Sequence, residues 1–148
     1  MKTSASWAWL LAGLLTACGP KGGGATRQPL GTDVVTDETG EFELTVEYVP
    51  QPDRQIQLHL GMKAIGLEEM DKVVVEVDHE GFVLTEGALE WSGFVPPRQP
   101  QSFTLTLRAL EDATDPVIHV KVSRSVDSEV LLSKEIGFMV SGGVVSPR

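Results

Sequence analysis

The sequence predicts an all-β domain, a sandwich of two packed sheets. Three observations predict it. Apolar and polar residues alternate through most of the chain after Glu41, the period of a strand with one buried face. Turn formers such as Pro50-Gln51-Pro52-Asp53 and His79-Glu80-Gly81 cut that alternation into short segments. No segment shows a convincing long helix. Short strands separated by turn signals point to a sandwich or a small barrel.

The segments follow in order. Glu41 to Val49 puts Phe42, Leu44, Val46 and Tyr48 on one face and Glu41, Glu43, Thr45 and Glu47 on the other. Gln55 to Met62 turns Ile56, Leu58, Leu60 and Met62 inward. Lys63 to Asp71 leaves two readings open, a loop or a single helical turn, because Gly66 precedes the acidic Glu68, Glu69 and Asp71. Lys72 to Asp78 is β-branched, with Val73, Val75 and Val77 inward. Phe82 to Thr85 and Leu89 to Val95 form two shorter strands, the second holding Trp91. Pro96, Pro97 and Pro100 then exclude regular structure. Ser102 to Leu110 alternates again through Phe103, Leu105, Leu107 and Ala109. Val117 to Ser123 directs Ile118, Val120 and Val122 inward and His119 and Lys121 outward. Val130 to Val140 closes the series with Ile136, Phe138 and Val140 inward. About seven or eight strands over roughly 100 residues suit a sandwich.

The ends read differently. Met1 to Ser6 carries one positive charge, Lys2, and Trp7 to Leu15 is apolar. Small residues lead from there to Cys18, the single cysteine of the 148-residue chain. This is the layout of a secretory signal, and its apolar run is shorter than the roughly 20 residues of a membrane span. Leu15-Thr16-Ala17-Cys18-Gly19 resembles the lipobox of bacterial lipoproteins, with Leu three before the cysteine and small residues around it. The resemblance implies cleavage before Cys18, a diacylglycerol on its sulfur and, in many bacteria, a further acyl chain on the new amino group. Each buried methylene contributes about 0.8 kcal/mol, so two or three chains anchor stably where one does not. Gly19 is not the Asp that retains such proteins in the inner membrane, so the resemblance favours the outer membrane, facing either the periplasm or the exterior. The competing reading is an ordinary cleaved signal with an incidental cysteine; the sole Cys at the position the pattern requires favours the lipobox. A lone Cys leaves no internal disulfide, so the fold must rely on its core.

The expected organisation is a signal peptide over 1–17, a lipidated Cys18 with a flexible linker to 40, a sandwich over 41–142 and a tail over 143–148. Gly19 to about Gly40 lacks an apolar period, and a flexible stretch of this length spans roughly 25 Å. Within it Val34 and Val35 are candidates to pair with the domain edge. The chain has 21 acidic and 12 basic residues, a formal charge of −9. That balance argues against nucleic acid, which needs clustered Lys and Arg. Lys21 and Arg27 in the linker add only weak attraction to anionic head groups.

Phe82-Val83-Leu84, then Leu89-Glu90-Trp91-Ser92-Gly93 and the long Phe103 to Leu107 strand are similar to the central strands of immunoglobulin-like modules in bacterial envelope proteins. The similarity covers residues 72 to 122. It implies an immunoglobulin-like sandwich, without the cysteine pair of antibody domains.

Chemistry is sparse. His59 and His119 fall on outward phases and His79 on a turn, with none of the close spacing of zinc sites; solvated surface histidines are the better reading. Glu68, Glu69 and Asp71 offer oxygens to calcium but lack the EF-hand spacing, so a solvated acidic loop is expected. Glu41, Glu43 and Glu47, and separately Glu76 and Asp78, pair carboxylates as glycosidases do. They lie on open strand faces, where solvation and cross-strand pairing with Lys121 or Arg108 account for them. No serine sits in a Gly-x-Ser-x-Gly context and no Gly-rich loop opens a helix. Trp91 shares its inward phase with Leu89 and Gly93 and is expected in the core; exposed beside Pro96 and Pro97 it would be a binding platform. The expectation is therefore a lipid-anchored, non-enzymatic module, without metal or cofactor, that touches the membrane through Cys18 and an envelope protein through strand edges or loops. The alternative is a glycan or small-ligand binding module near Trp91; a hydrolase is third.

Overall fold

Alternation becomes strand throughout the computed structural model, which describes residues 31–65 and 72–148. Among the described residues ten strands form: β1 (Gly31–Thr36), β2 (Phe42–Gln51), β3 (Gln55–Ala64), β4 (Lys72–Glu80), β5 (Phe82–Glu86), β6 (Glu90–Phe94), β7 (Gln101–Ala109), β8 (Val117–Arg124), β9 (Val130–Ser141) and β10 (Val144–Pro147). They make two five-stranded sheets, β1-β2-β3-β7-β5 and β10-β9-β8-β4-β6. All pairings are antiparallel.

The core is the set of inward positions read from the alternation. Phe42, Leu44, Val46 and Tyr48 of β2 and Ile56, Leu58, Leu60 and Met62 of β3 are buried. They meet Val73, Val75 and Val77 of β4, Ile118, Val120 and Val122 of β8, and Ile136 and Phe138 of β9. Fully burying one such aliphatic side chain contributes about 1.5–3 kcal/mol, so this interface is the main source of stability. Phe138 joins the layers by edge-on contacts with Tyr48 and Phe82, at centroid separations of 5.7 and 5.6 Å.

The boundaries differ from the sequence reading in four places. Within the span placed in the linker, Val34 and Val35 pair with β2 as their candidacy had it, but the ladder is longer, from Gly31 opposite Tyr48 to Thr36 opposite Glu43; Val35 packs against the core. The segment 143–148, expected as a tail, supplies β10, which returns through the left-handed Gly142 and Gly143 and buries Val145. A two-residue Gly-Gly hairpin turn followed by two valines is the signal that reading passed over. Third, β2 runs on through Pro50 to Gln51. There Pro50 stands opposite Ile56 and Gln51 opposite Gln55 of β3. Fourth, β5 and β6, matched above to central strands, are the edges of their sheets.

One glycine makes the sheet exchange possible. The chain leaves β4 in one sheet and enters β5 in the other with only Gly81 between them. Gly81 has φ +76, and a Cβ there would stand 3.0 Å from Pro116 Cβ. Only glycine takes that backbone without strain.

The signal segment, Cys18, Gly19, Lys21, Arg27, Glu68, Glu69 and Asp71 lie outside the described residues. Among the described residues no helix is long and apolar enough to cross a membrane.

Candidate interaction surface

The sandwich has two long seams, and they are closed differently. On one side β1 and β10 flank the two layers, and Asp33 of β1 bridges them. Its carboxylate accepts a hydrogen bond from the Tyr48 hydroxyl and lies 3.5 Å from Lys134 Nζ on β9. On the other side β5 and β6 end their sheets as consecutive edge strands. There Trp91 of β6 reaches inward and stacks on Phe103 of β7, with centroids 6.4 Å apart and planes 9° from parallel. Trp91 is half-buried and packs against the core. It is neither a fully enclosed core residue nor an open platform.

β6 pairs with β4 alone among the described strands. Its outward positions are Glu90, Ser92 and Phe94, all exposed, with Phe94 showing 52% of its surface. β5 presents Val83 and Thr85 at the neighbouring edge. A β-bulge between Leu84 and Glu86 breaks its register with β7, and the Thr85 hydroxyl donates to the Thr106 carbonyl there. Short, bulged and charged edges of this kind discourage indiscriminate pairing while leaving backbone groups open to a matched strand.

The histidines do not converge. His59 stands on the outer face of the first sheet, 3.0 Å from Thr104 Oγ1 and in register with Glu47. His119 stands on the outer face of the second, 3.6 Å from Glu135 and in register with Asp78. His79 is half-buried at the end of β4. No three His, Cys, Asp or Glu side chains come together to hold a metal among the described residues.

The carboxylates divide similarly. Glu43 and Glu47 lie along the outer side of β2, in register with Lys63 and His59, and Glu41 precedes the strand. Glu76 is paired with Lys121 at 2.5 Å on an exposed face, the cross-strand neutralisation expected of it. Arg108 has no ion pair among the described residues. A shallow depression of about 450 Å³ over Glu76, Asp78, Glu90, His119 and Lys121 marks this outer face.

A larger groove, about 630 Å³, opens at the end of the sandwich where β1 begins. Asp53, Arg54, Arg108, Leu110, Glu111 and the Gly142-Gly143 turn line it. Arg54 holds the turns together. Its N–H donates to the Gly143 carbonyl at 3.1 Å, its carbonyl accepts from Ala109 N–H at 2.9 Å, and its Nη2 donates to the Leu110 and Ala113 carbonyls. Sequence reasoning passed over Arg54, because nothing local distinguishes it from any other turn residue. Asp33 and Lys134 were also missed, yet Lys134 carried a signal: it occupies the inward phase of β9 between Leu132 and Ile136.

No protein-family model matches this chain, and no curated protein matches it.

Proposed function

We propose that this chain is a lipid-anchored, non-enzymatic envelope module with an immunoglobulin-like sandwich, acting through protein contacts at its β5–β6 edge. The observation that carries the contact surface is β6 itself: an edge strand paired with β4 alone among the described strands, with an exposed Phe94 and an anchoring Trp91–Phe103 stack beneath it. A strand of a partner protein adds to such an edge by main-chain hydrogen bonds, and an exposed aromatic supplies the side-chain contact.

Strand order supports the immunoglobulin-like part. β2-β3-β7-β5 against β9-β8-β4 follows the A-B-E-D and G-F-C order of those sandwiches. The departure is that β5 precedes β6, so the chain visits the D-like edge before the extra strand beside β4. The anchor rests on the residues Leu15-Thr16-Ala17-Cys18. Cleavage before Cys18 would leave a short linker ahead of β1, tying the domain down at the end where β1 begins and leaving the β5–β6 edge on its flank. The outer membrane is the proposed location, because Gly19 follows the cysteine.

Two measurements test the reading. Cys18→Ser is expected to shift the protein from the membrane fraction to the soluble fraction or to leave the leader uncleaved; unchanged partition refutes the anchor. Site-specific crosslinking from position 94 in cells is expected to capture one protein specifically, with loss of capture when Ser92→Pro blunts the edge. Capture unaltered by that proline removes β6 as the contact.

A further inference from the structure

The groove beside Arg54 holds charges that the fold leaves uncompensated. Asp53 and Arg54 lie in the β2–β3 turn, both left-handed, with φ of 59° and 60°. Neither is glycine, and a left-handed residue of this kind costs about 1–2 kcal/mol. Arg108 reaches the same groove because it is in register with Gln55, the residue after the turn. Glu111 follows two residues beyond Ala109. Arg54 spends its Nη2 on two carbonyls. Those partners are neutral, so its charge stands. Among the described residues the side chains of Asp53, Arg108 and Glu111 make neither a hydrogen bond nor an ion pair. Two guanidinium groups and two carboxylates therefore line one groove without neutralising each other, on a chain of net charge −9.

We infer that this groove binds a small zwitterion, a phosphate ester carrying an ammonium group. A simple anion would meet Asp53 and Glu111 as well as the arginines. A simple cation would meet the arginines. A phosphate takes two guanidinium groups through charge-assisted hydrogen bonds, and an ammonium group supplies donors for the carboxylates. Exposed Leu110 at the wall accommodates the methylenes between the two charges. The same chemistry occurs in a free amino-alkyl phosphate and in the head group of a lipid. The inference does not depend on the anchor or on the β6 edge: its failure leaves both standing.

Calorimetric titration of the purified full-length chain with phosphoethanolamine, inorganic phosphate and ethanolamine tests it. Phosphoethanolamine is expected to bind saturably and at least about tenfold more tightly than either fragment. Arg108→Gln is expected to weaken it about tenfold. Glu111→Gln is expected to weaken phosphoethanolamine while leaving inorganic phosphate unchanged. Both side chains are exposed, and an unaltered circular dichroism melt shows that the variants fold. Sedimentation of the Cys18→Ser chain with phosphatidylethanolamine vesicles separates the two sources. Co-sedimentation displaced by soluble phosphoethanolamine identifies the head group; soluble binding without co-sedimentation identifies the free compound. Absence of saturable heat from phosphoethanolamine, equal affinity in Arg108→Gln, or equally tight inorganic phosphate overturns the proposal.

Discussion

Asp33 on β1 and Lys134 on β9 meet across the seam between the two sheets, 3.5 Å apart. The same carboxylate oxygen accepts the Tyr48 hydroxyl. Among the described residues the β10 ladder covers β9 from Phe138 onward, and Lys134 lies on the stretch of that edge before it. An inward-pointing charge there is costly to any strand that would add to β9. The chain's own β1 satisfies it with an acid from the facing sheet.

Asp33→Asn keeps a hydrogen-bond acceptor for Tyr48 but removes the charge facing Lys134. Asp33 and Lys134 are 41% and 34% exposed, so water screens the pair. The expected loss is at most about 1 kcal/mol. Urea denaturation measures it, and Asp33→Asn combined with Lys134→Met is expected to cost less than the two separate losses together. Strict additivity would show that the two side chains do not interact.

Tyr48 makes the domain sensitive to alkali. Burial, together with the hydrogen bond to Asp33 and the charge of that carboxylate, raises its phenol above the ordinary value of 10.0. The folded chain thus keeps a proton that the unfolded chain releases. Stability from this source is complete below pH about 10 and declines as pH rises past it. Urea midpoints measured from pH 8 upward are expected to fall above that point, and Tyr48→Phe is expected to flatten the decline. An equal decline in Tyr48→Phe assigns the effect elsewhere.

Asp37 gives the opposite dependence at acid pH. Burial raises its carboxyl, but hydrogen bonds from the Thr39 hydroxyl and from the N–H groups of Phe42, Glu41 and Thr39 outweigh that and hold it below 3.8. Its ionised form closes the β1–β2 turn, where Phe42 N–H donates to Oδ1 at 2.9 Å. The stabilisation is present above the ordinary Asp value of 3.8 and is lost as pH falls from there through the lower value of the folded chain. Amide hydrogen exchange in β1 is expected to accelerate at low pH, and Asp37→Ala is expected to show that fast exchange already at neutral pH. Equal protection of β1 in Asp37→Ala would show that the turn closes without it.

The sheet cores were legible because period two leaves little freedom. Ile56, Leu58, Leu60 and Met62 can share a face only in a strand, and their facing β4 and β8 residues follow the same rule. The seams were not legible, because they depend on which strands become edges. Asp33 reads as a linker residue until β1 pairs with β2. Trp91 reads as core until β6 becomes the last strand of its sheet. Arg54 is invisible from sequence, since its partners lie on the β7–β8 and β9–β10 connections far along the chain.

Gly93 is the position on which the Trp91–Phe103 stack depends. The indole lies back along its own strand, so a Cβ on Gly93 would stand 2.8 Å from Trp91 Cζ2 and 2.9 Å from Cη2. No real Cβ contact is that short, and the ring must move. Displacing it lifts it from Phe103, which it now faces at 9°. Overpacking of this kind costs about 1–3 kcal/mol, reduced here because the ring borders solvent. Gly93→Ala is expected to lower the urea midpoint and shift Trp91 emission to longer wavelength, while Ser92→Ala, whose side chain is exposed, changes neither. Trp91 can be read singly because Trp7 and Trp9, the other two tryptophans, precede Cys18 and are converted to Phe for the measurement. An unshifted emission maximum in Gly93→Ala would mean that the ring finds room without leaving Phe103. The edge strand would then owe its position to the β4 ladder instead of the aromatic stack.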